Sequence, residues 1–469
     1  MCLLGVLRRL PWRACVLFMV TLRMPSVSAQ GRPEYELLRD EEDWSFLTDR
    51  SRATDRWDPV KFIPARASGG WFVSLGGEIR AQYERFAHEE WGAERRDEDG
   101  YSLQRYMFHA DAHLGRHTRL FGQIKSGLEI GRAGGPRRTD QDQIDIHQAY
   151  AELRAGGTAA IPKLRVRAGR QEFNFGSARL VSVRERPNVR QSFDAVRLMA
   201  HVHDWQVDSF VSRPVSTTSG AFDDRWDHDR ALWGVYAVRS RPAADRGLDL
   251  YYLGYHRQRA EFDAGVARER RHSVGTRIWG RHAALDYNTE GVVQWGAFGT
   301  SHIRAWTAAS DTGYRPPLPG IARVGLRADV TSGDDDRHDD VLGTFNPLFP
   351  KGAYFGLVAP TGPLNHVDLH PSLTFAMPAG WSVVATWLFF WRTRADDGLY
   401  GPPGTLLRSG AGTHAHFVGQ SPGLEMTWQP TVHLSLTTDL SLFSAGSFLQ
   451  EAPPARTTAY LAAWTTYRF

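Results

Sequence analysis

Cysteine is nearly absent from this chain: of 469 residues only Cys2 and Cys15 are cysteines, and both lie in the first 29. Any mature chain beginning after that segment has no thiol, no disulfide and no cysteine-ligated metal. Lysine is almost as scarce, limited to Lys61, Lys125, Lys163 and Lys351, so arginine carries nearly all the positive charge. No apolar run beyond the first 29 residues approaches the ~18 residues of a membrane-spanning helix. Pro/Ser linkers, shifts of composition and long helical periodicity are also missing, which argues for one large domain.

The first 29 residues read as a secretory signal. Arg8, Arg9 and Arg13 precede the apolar run from Ala14 to Val20, and Ser26-Val-Ser-Ala29 forms a small-x-small cleavage site. Residues 30–70 follow as a polar, irregular periplasmic lead-in whose apolar anchors are Asp43-Trp-Ser-Phe-Leu47 and Trp57 to Pro64.

From residue 71 to 469 the chain alternates. Trp71, Val73, Leu75, Ile79, Ala81 and Tyr83 share one parity, and Ser74, Glu78, Arg80, Gln82 and Glu84 the other. Tyr106, Phe108, Ala110, Ala112 and Leu114 likewise oppose Arg105, His109, Asp111 and His113, and Leu120 and Ile124 oppose Gln123, Lys125 and Glu129. Further strands are expected over residues 148–153, 164–173, 193–201, 206–213, 231–238, 248–257, 273–280, 287–298, 322–330, 367–375, 382–392, 417–428 and 432–443. The last is the aromatic segment Tyr460 to Phe469.

A lipid-spanning chain without apolar helices must close its backbone hydrogen bonds as a barrel. At about 20 to 25 residues per strand and turn, about 16 to 18 strands fit. Blade or Greek-key spacing for a propeller or sandwich is not seen. The fold class is all-β, a single antiparallel transmembrane β-barrel with a polar, arginine-rich lumen. Polar or Gly/Pro-rich stretches at residues 132–143, 311–320, 333–363 and 396–413 read as extracellular loops or lumen constrictions. The acidic run from Gly333 to Asp340 lacks the ligand order of a calcium loop and reads as a solvated loop.

Placing an arginine against lipid at the bilayer midplane costs roughly 2 to 4 kcal/mol in a barrel, so parity assigns the arginines to the lumen. The expected pore-lining set is Arg80, Arg105, Lys125, Arg165, Arg167, Arg197, Arg277, Arg323, Arg327 and Arg392. Glu78, Asp111, Glu129, Glu152, Asp329 and Asp368 interleave with them. Arg170 breaks the alternation and is placed with the pore-lining set: either Gly169 marks a bulge that returns it to the lumen, or Arg170 sits beyond the hydrocarbon. Arg165, Arg167, Arg197, Arg80 and Arg327 are expected to form a positive constriction, since rings of arginine set anion preference in a pore. Charges that merely neutralise one another and stiffen the wall are the competing reading.

Catalysis is not expected. Ser177, Ser182 and Ser192 lie among arginines with no histidine at strand spacing. His109 and His113, roughly 13 Å apart along a strand, are too distant for one metal. Neither a metal nor another cofactor is called for.

The ordered segments Asp43 to Leu47, Leu75 to Arg80, Val166 to Glu172, Arg179 to Arg190, Ser192 to Arg197, Thr344 to Pro350, Asp368 to Ser372 and Asp397 to Tyr400 resemble the alginate export family of Gram-negative outer-membrane barrels. The resemblance implies an 18-stranded monomer whose arginine-lined constriction passes an anionic polysaccharide such as alginate. A general porin for small anions, or a closed structural or adhesive barrel, stands as the alternative. Expected partners are the anionic solute, outer-membrane lipid and lipopolysaccharide, and the barrel-assembly machinery through Phe469. Nucleic acid is not among them.

Overall fold

In a computed structural model the chain is described over residues 34–65, 70–94, 99–157, 163–241, 245–358 and 360–469. The expected signal segment lies outside the described residues. Among the described residues eighteen long strands form one closed sheet. They are β1 (Trp71–Ala87), β2 (Tyr101–Leu114), β3 (Thr118–Ile130), β4 (Asp142–Ala155), β5 (Lys163–Gln171) and β6 (Phe193–Val202). Next come β7 (Trp205–Ser216), β8 (Arg230–Arg241), β9 (Arg246–Phe262), β10 (Gly265–His282), β11 (Leu285–Phe298) and β12 (Ser301–Tyr314). The circuit is completed by β13 (Ile321–Thr331), β14 (His366–Met377), β15 (Trp381–Arg392), β16 (Phe417–Trp428), β17 (Leu434–Ala445) and β18 (Thr458–Arg468). Each pairs antiparallel with its sequence neighbour, and β18 closes on β1 from Glu78 opposite Arg468 to Ala87 opposite Ala459. Closure leaves no long strand with an unpaired edge, which is what a lipid environment requires.

Parity sorts the wall. On β1 the outward Leu75, Ile79 and Tyr83 are exposed while Ser74, Glu78, Arg80 and Gln82 are buried in the lumen. The same holds on β2, where Phe108 is 39% exposed and Arg105 1%. The start of β1 and the end of β18 share one end with the shorter connections, including 115–117, 203–204 and 283–284, as expected for a periplasmic face. The longest connections, 172–192, 332–365 and 393–416, rise at the opposite end.

One strand was not legible. β12 carries Arg304 and Trp306 outward but Ile303, Ala305 and Ala309 inward, so its alternation does not separate apolar from polar. Ile303 packs into an apolar cluster inside the barrel, which reverses the usual sign of the pattern. The expected 311–320 loop is accordingly corrected: β12 runs to Tyr314, and only residues 315–320 turn, at the end where β1 starts and β18 finishes.

The lumen is not polar throughout. Residues 172–192 and 332–365 fold inward and meet, with Val181 bridged to Phe349 and the Phe349 N–H donating to Leu180 O at 2.8 Å. Phe173, Phe175, Phe345 and Phe349 pack there against Phe193, Phe210, Leu232 and Tyr255 of the wall. Fully burying each such side chain contributes roughly 1.5 to 3 kcal/mol, so the loops are held as an inner core rather than waving in the channel. A second apolar cluster around Trp91, Phe355, Phe390 and Phe443 lies under the remaining loops.

Candidate functional site

The lead-in does not hang free below the barrel. Its residues 34–64 seat in the periplasmic mouth, where Arg39 donates to Gly77 O and Phe469 O, both at 2.9 Å. Asp40 reaches the wall: Arg167 donates to Asp40 Oδ2 at 2.6 Å, Tyr150 Oη donates to the same oxygen at 3.0 Å, and Arg119 donates to the Asp40 carbonyl at 2.6 Å. Burial pushes the Asp40 carboxyl up, but Arg167 and Arg119 outweigh it and hold the group below its ordinary range.

Beside this contact opens a cavity of about 860 Å³. Arg116, Arg119, Arg154, Lys163, Arg165, Arg167 and Arg197 line it, against Asp40, Glu41, Glu42 and Asp43 from the lead-in. Seven cations face four carboxylates. Arg167 is also tied to Glu152 Oε2 at 2.8 Å and Arg197 to Asp208 Oδ1 at 3.2 Å. Arg165 makes no hydrogen bond or ion pair to a described residue and is half-buried, so its guanidinium faces the cavity uncompensated.

Deeper in, the path narrows between the inward loops and the opposite wall. A cavity of about 370 Å³ is lined by Arg184, Arg186 and Lys351 from the loops and by Glu425 and Asp439 from β16 and β17. Arg186 crosses to Glu425 Oε2 at 2.7 Å. Burial, with Arg327 and Arg179 nearby, pulls the Lys351 ammonium down to about 7. Arg184, Arg186, Gly352 and Leu357 also line an outer cavity of about 370 Å³, so the two cavities adjoin.

The expected pore-lining residues distribute unevenly. Arg165, Arg167 and Arg197 gather at the periplasmic cavity, not at the narrowest point. Arg80 donates to the carbonyls of Glu185, Arg186 and Pro187, and Arg105 is held between Glu78 and Glu185, so these two arginines clamp the inward loop. Glu78 additionally accepts from Arg468 at 2.9 Å across the closing seam. Lys125 sits 2.8 Å from both Asp142 and Asp224, and Arg277 2.8 Å from Asp249. Arg323 binds Asp286 and Asp311. Arg327 pairs with Asp329 at 2.9 Å and lines a 230 Å³ pocket beside the narrowing, while Asp329 also accepts from Arg179 at 2.6 Å. Arg392 donates to the carbonyls of Ala395, Asp397 and Ala415 and lies over the Phe448 ring at 3.8 Å, which makes it a loop clamp.

Arg170 requires a correction. Gly169 has φ +129°, yet β4 and β5 keep register there, so no bulge turns Arg170 inward. It lies on the outer face at the rim, on Asp194 at 2.9 Å and the Ile146 carbonyl at 3.0 Å.

Residues at the narrowing were missed. Arg184 and Arg186 lie in the Arg179 to Arg190 segment that carries part of the family resemblance, but their inward fold has no local signature. Lys351, Glu425 and Asp439 had no signal beyond strand parity for the two acids. Among the described residues, carboxylates converge as a group at Asp142, Asp145 and Asp224, not in the 333–340 run, and the Lys125 ammonium already bonds two of the three.

The profile of the alginate export family matches residues 72–462. Among solved structures, OpdK of Pseudomonas aeruginosa, determined with vanillate, superposes with a TM-score of 0.59 at 10% identity, covering 85% of this chain and 98% of that one. OccAB1 of Acinetobacter baumannii gives 0.57 at 12%, covering 85% and 96%. OccD3 (OpdP) of P. aeruginosa gives 0.56 at 14%, covering 87% and 94%. No curated protein matches the sequence.

Proposed function

The chain belongs to the alginate export family of Gram-negative outer-membrane β-barrels, and from that premise we propose that it is a passive channel for anionic solutes, with an acidic polysaccharide as its cargo. The observation that carries the reading is the periplasmic cavity with seven cations and an uncompensated Arg165. A low-dielectric cleft with an excess of one sign concentrates the opposite charge at its mouth. Guanidinium forks then pass carboxylates from one to the next, each held by short charge-assisted bonds. Binding at each step must stay weak for the solute to leave.

The narrowing favours a second reading, a porin for small organic acids. Its 370 Å³ pocket is small for a polymer, and OpdK of similar fold was determined with vanillate, a small aromatic acid. Either way the protein acts as a monomer, its apolar outer face in contact with lipid and lipopolysaccharide.

Planar-bilayer recording separates the two. Oligouronate should block small-anion current in a salt-sensitive manner, while neutral maltodextrin should not. Block by a monomeric acid but not by oligouronate assigns the small-acid porin. Block by maltodextrin alone, or a silent barrel, overturns the anion channel.

A further inference from the structure

Near the extracellular mouth, four arginines surround an alcove of about 110 Å³ with no carboxylate in its lining: Arg138 from the 131–141 loop, Arg184 and Arg190 from the inward 172–192 loop, and Arg230 at the start of β8. Their accounts differ. Arg190 is compensated from behind by Glu172 at 3.0 Å and Glu185 at 3.2 Å, and Arg230 by Asp227 at 2.6 Å. Among the described residues Arg138 meets only the Ser216 hydroxyl, at 3.3 Å. The Arg184 side chain makes no hydrogen bond or ion pair to a described residue, although it is mostly buried.

Arg184 is also held in place. Its backbone sits at φ 55°, a region non-glycine residues keep only when the surroundings impose it. Its guanidinium lies 5.9 Å from the centre of the Phe349 ring, and Arg230 lies 5.8 Å from the same ring. Two like charges are thus presented over one buried aromatic. Burial and the Arg230 charge together pull the Arg184 guanidinium down to about 10. Repulsion of this kind is relieved by one anion placed between the cations, where planar forks bind two oxygens at once.

We propose that Arg138, Arg184, Arg190 and Arg230 form an oxyanion-binding site for a single carboxylate or phosphate group of a soluble solute. The size agrees with one small group: the alcove, at about 110 Å³, is small against about 860 Å³ for the periplasmic cavity and about 370 Å³ at the narrowing. Thr139 and Thr217 supply neutral hydroxyls at its edge. Arg184 also faces the narrowing and the outer cavity, so an anion here lies beside the transport path without occupying it. The site does not depend on the barrel conducting.

The test is calorimetric titration of the full-length, detergent-solubilised barrel with inorganic phosphate, with glucuronate and with neutral glucose, alongside separate bilayer recordings. Saturable binding of phosphate, glucuronate or both, with none of glucose, is expected, and which anion binds identifies the ligand. Arg184→Gln and Arg138→Gln should each weaken binding, by about tenfold for Arg184→Gln, which loses a charge-assisted bond to the anion. Arg239→Gln, paired with Asp204 at the opposite end of the barrel and outside both cavities, should leave this affinity as it is. Heat-modifiable migration reports whether each variant is assembled, and Arg138, being exposed, provides a variant outside the packed core. Absence of saturable anion binding, or unchanged affinity in assembled Arg184→Gln and Arg138→Gln proteins, overturns the site. Loss of conductance with binding retained counts against the channel reading alone.

Discussion

Arg167 on the barrel wall and Asp40 on the lead-in are joined at 2.6 Å, both almost fully buried, so the chain places one of its own carboxylates where an acidic solute would meet the periplasmic arginines. Breaking one partner of a buried pair costs about 3 to 5 kcal/mol when the other charge is left alone. Glu152 still holds Arg167, which moves the expected cost toward the lower end of that range.

Asp40→Asn should therefore loosen the lead-in and raise anion current. Limited proteolysis of residues 34–64 and single-channel conductance in the same preparation check both parts. In the wild type the Asp40 carboxyl is held below its ordinary value, so this contribution to stability is complete at neutral pH. It is lost only as pH falls beneath the ordinary carboxylate range, about 4.

Replacing Arg165 and Arg197 together by Ser keeps the inward face polar and removes two of the seven cavity cations. Anion-over-cation selectivity, measured as reversal potential in a salt gradient, should fall severalfold with the barrel still assembled. An unchanged ratio assigns these arginines to wall rigidity.

Lys351 predicts a pH dependence near neutrality. Its ammonium is drawn down to about 7, so it gains a proton as pH falls through 7 and loses it above. The groups facing it are Arg179, Arg327, Asp329 and Asp311, with Glu425 and Asp439 lining the same pocket. Anion conductance should rise from pH 8 to pH 6, and Lys351→Met should flatten that rise. The folded state sheds this proton more easily than the unfolded chain. Stability from this residue thus grows between about 7 and its ordinary 10.5 and is absent below.

Phe349→Ala removes a fully buried ring that joins the two inward loops to Phe193 and Tyr255. The expected loss is roughly 3 to 5 kcal/mol. Noisier and larger single-channel currents, together with a lower unfolding temperature on heated gels, are the outcome to look for. A change in neither shows that the loops are held elsewhere.

Deletion of Phe469 should reduce assembled barrel in the outer membrane, read by heat-modifiable migration. The residue stacks on Trp57 at 4.4 Å and exchanges backbone hydrogen bonds with Gly77 at 2.9 and 3.1 Å, so the closing seam loses its last pair along with the terminal aromatic.

The sequence by itself determined the barrel and which way its side chains point. A strand in lipid must alternate with period two, and the cost of an arginine against hydrocarbon writes that alternation into the chain, as at Glu78, Arg80 and Gln82 against Ile79, Ala81 and Tyr83. It failed at β12, where an apolar inner cluster removed the contrast between the faces, and at Arg170, whose charge is met on the outer face by Asp194 and not in the lumen. Parity states that a residue faces inward but not what it meets there. Arg80 and Arg105 share the parity of Arg165, yet the first two are consumed by carbonyls and carboxylates of a loop some eighty to a hundred residues away, and Arg165 faces open space. Only the tertiary structure decided which arginines remain free. The inward folding of residues 172–192 and 332–365 rests on long-range packing of Phe173, Phe345 and Phe349 that no local pattern encodes.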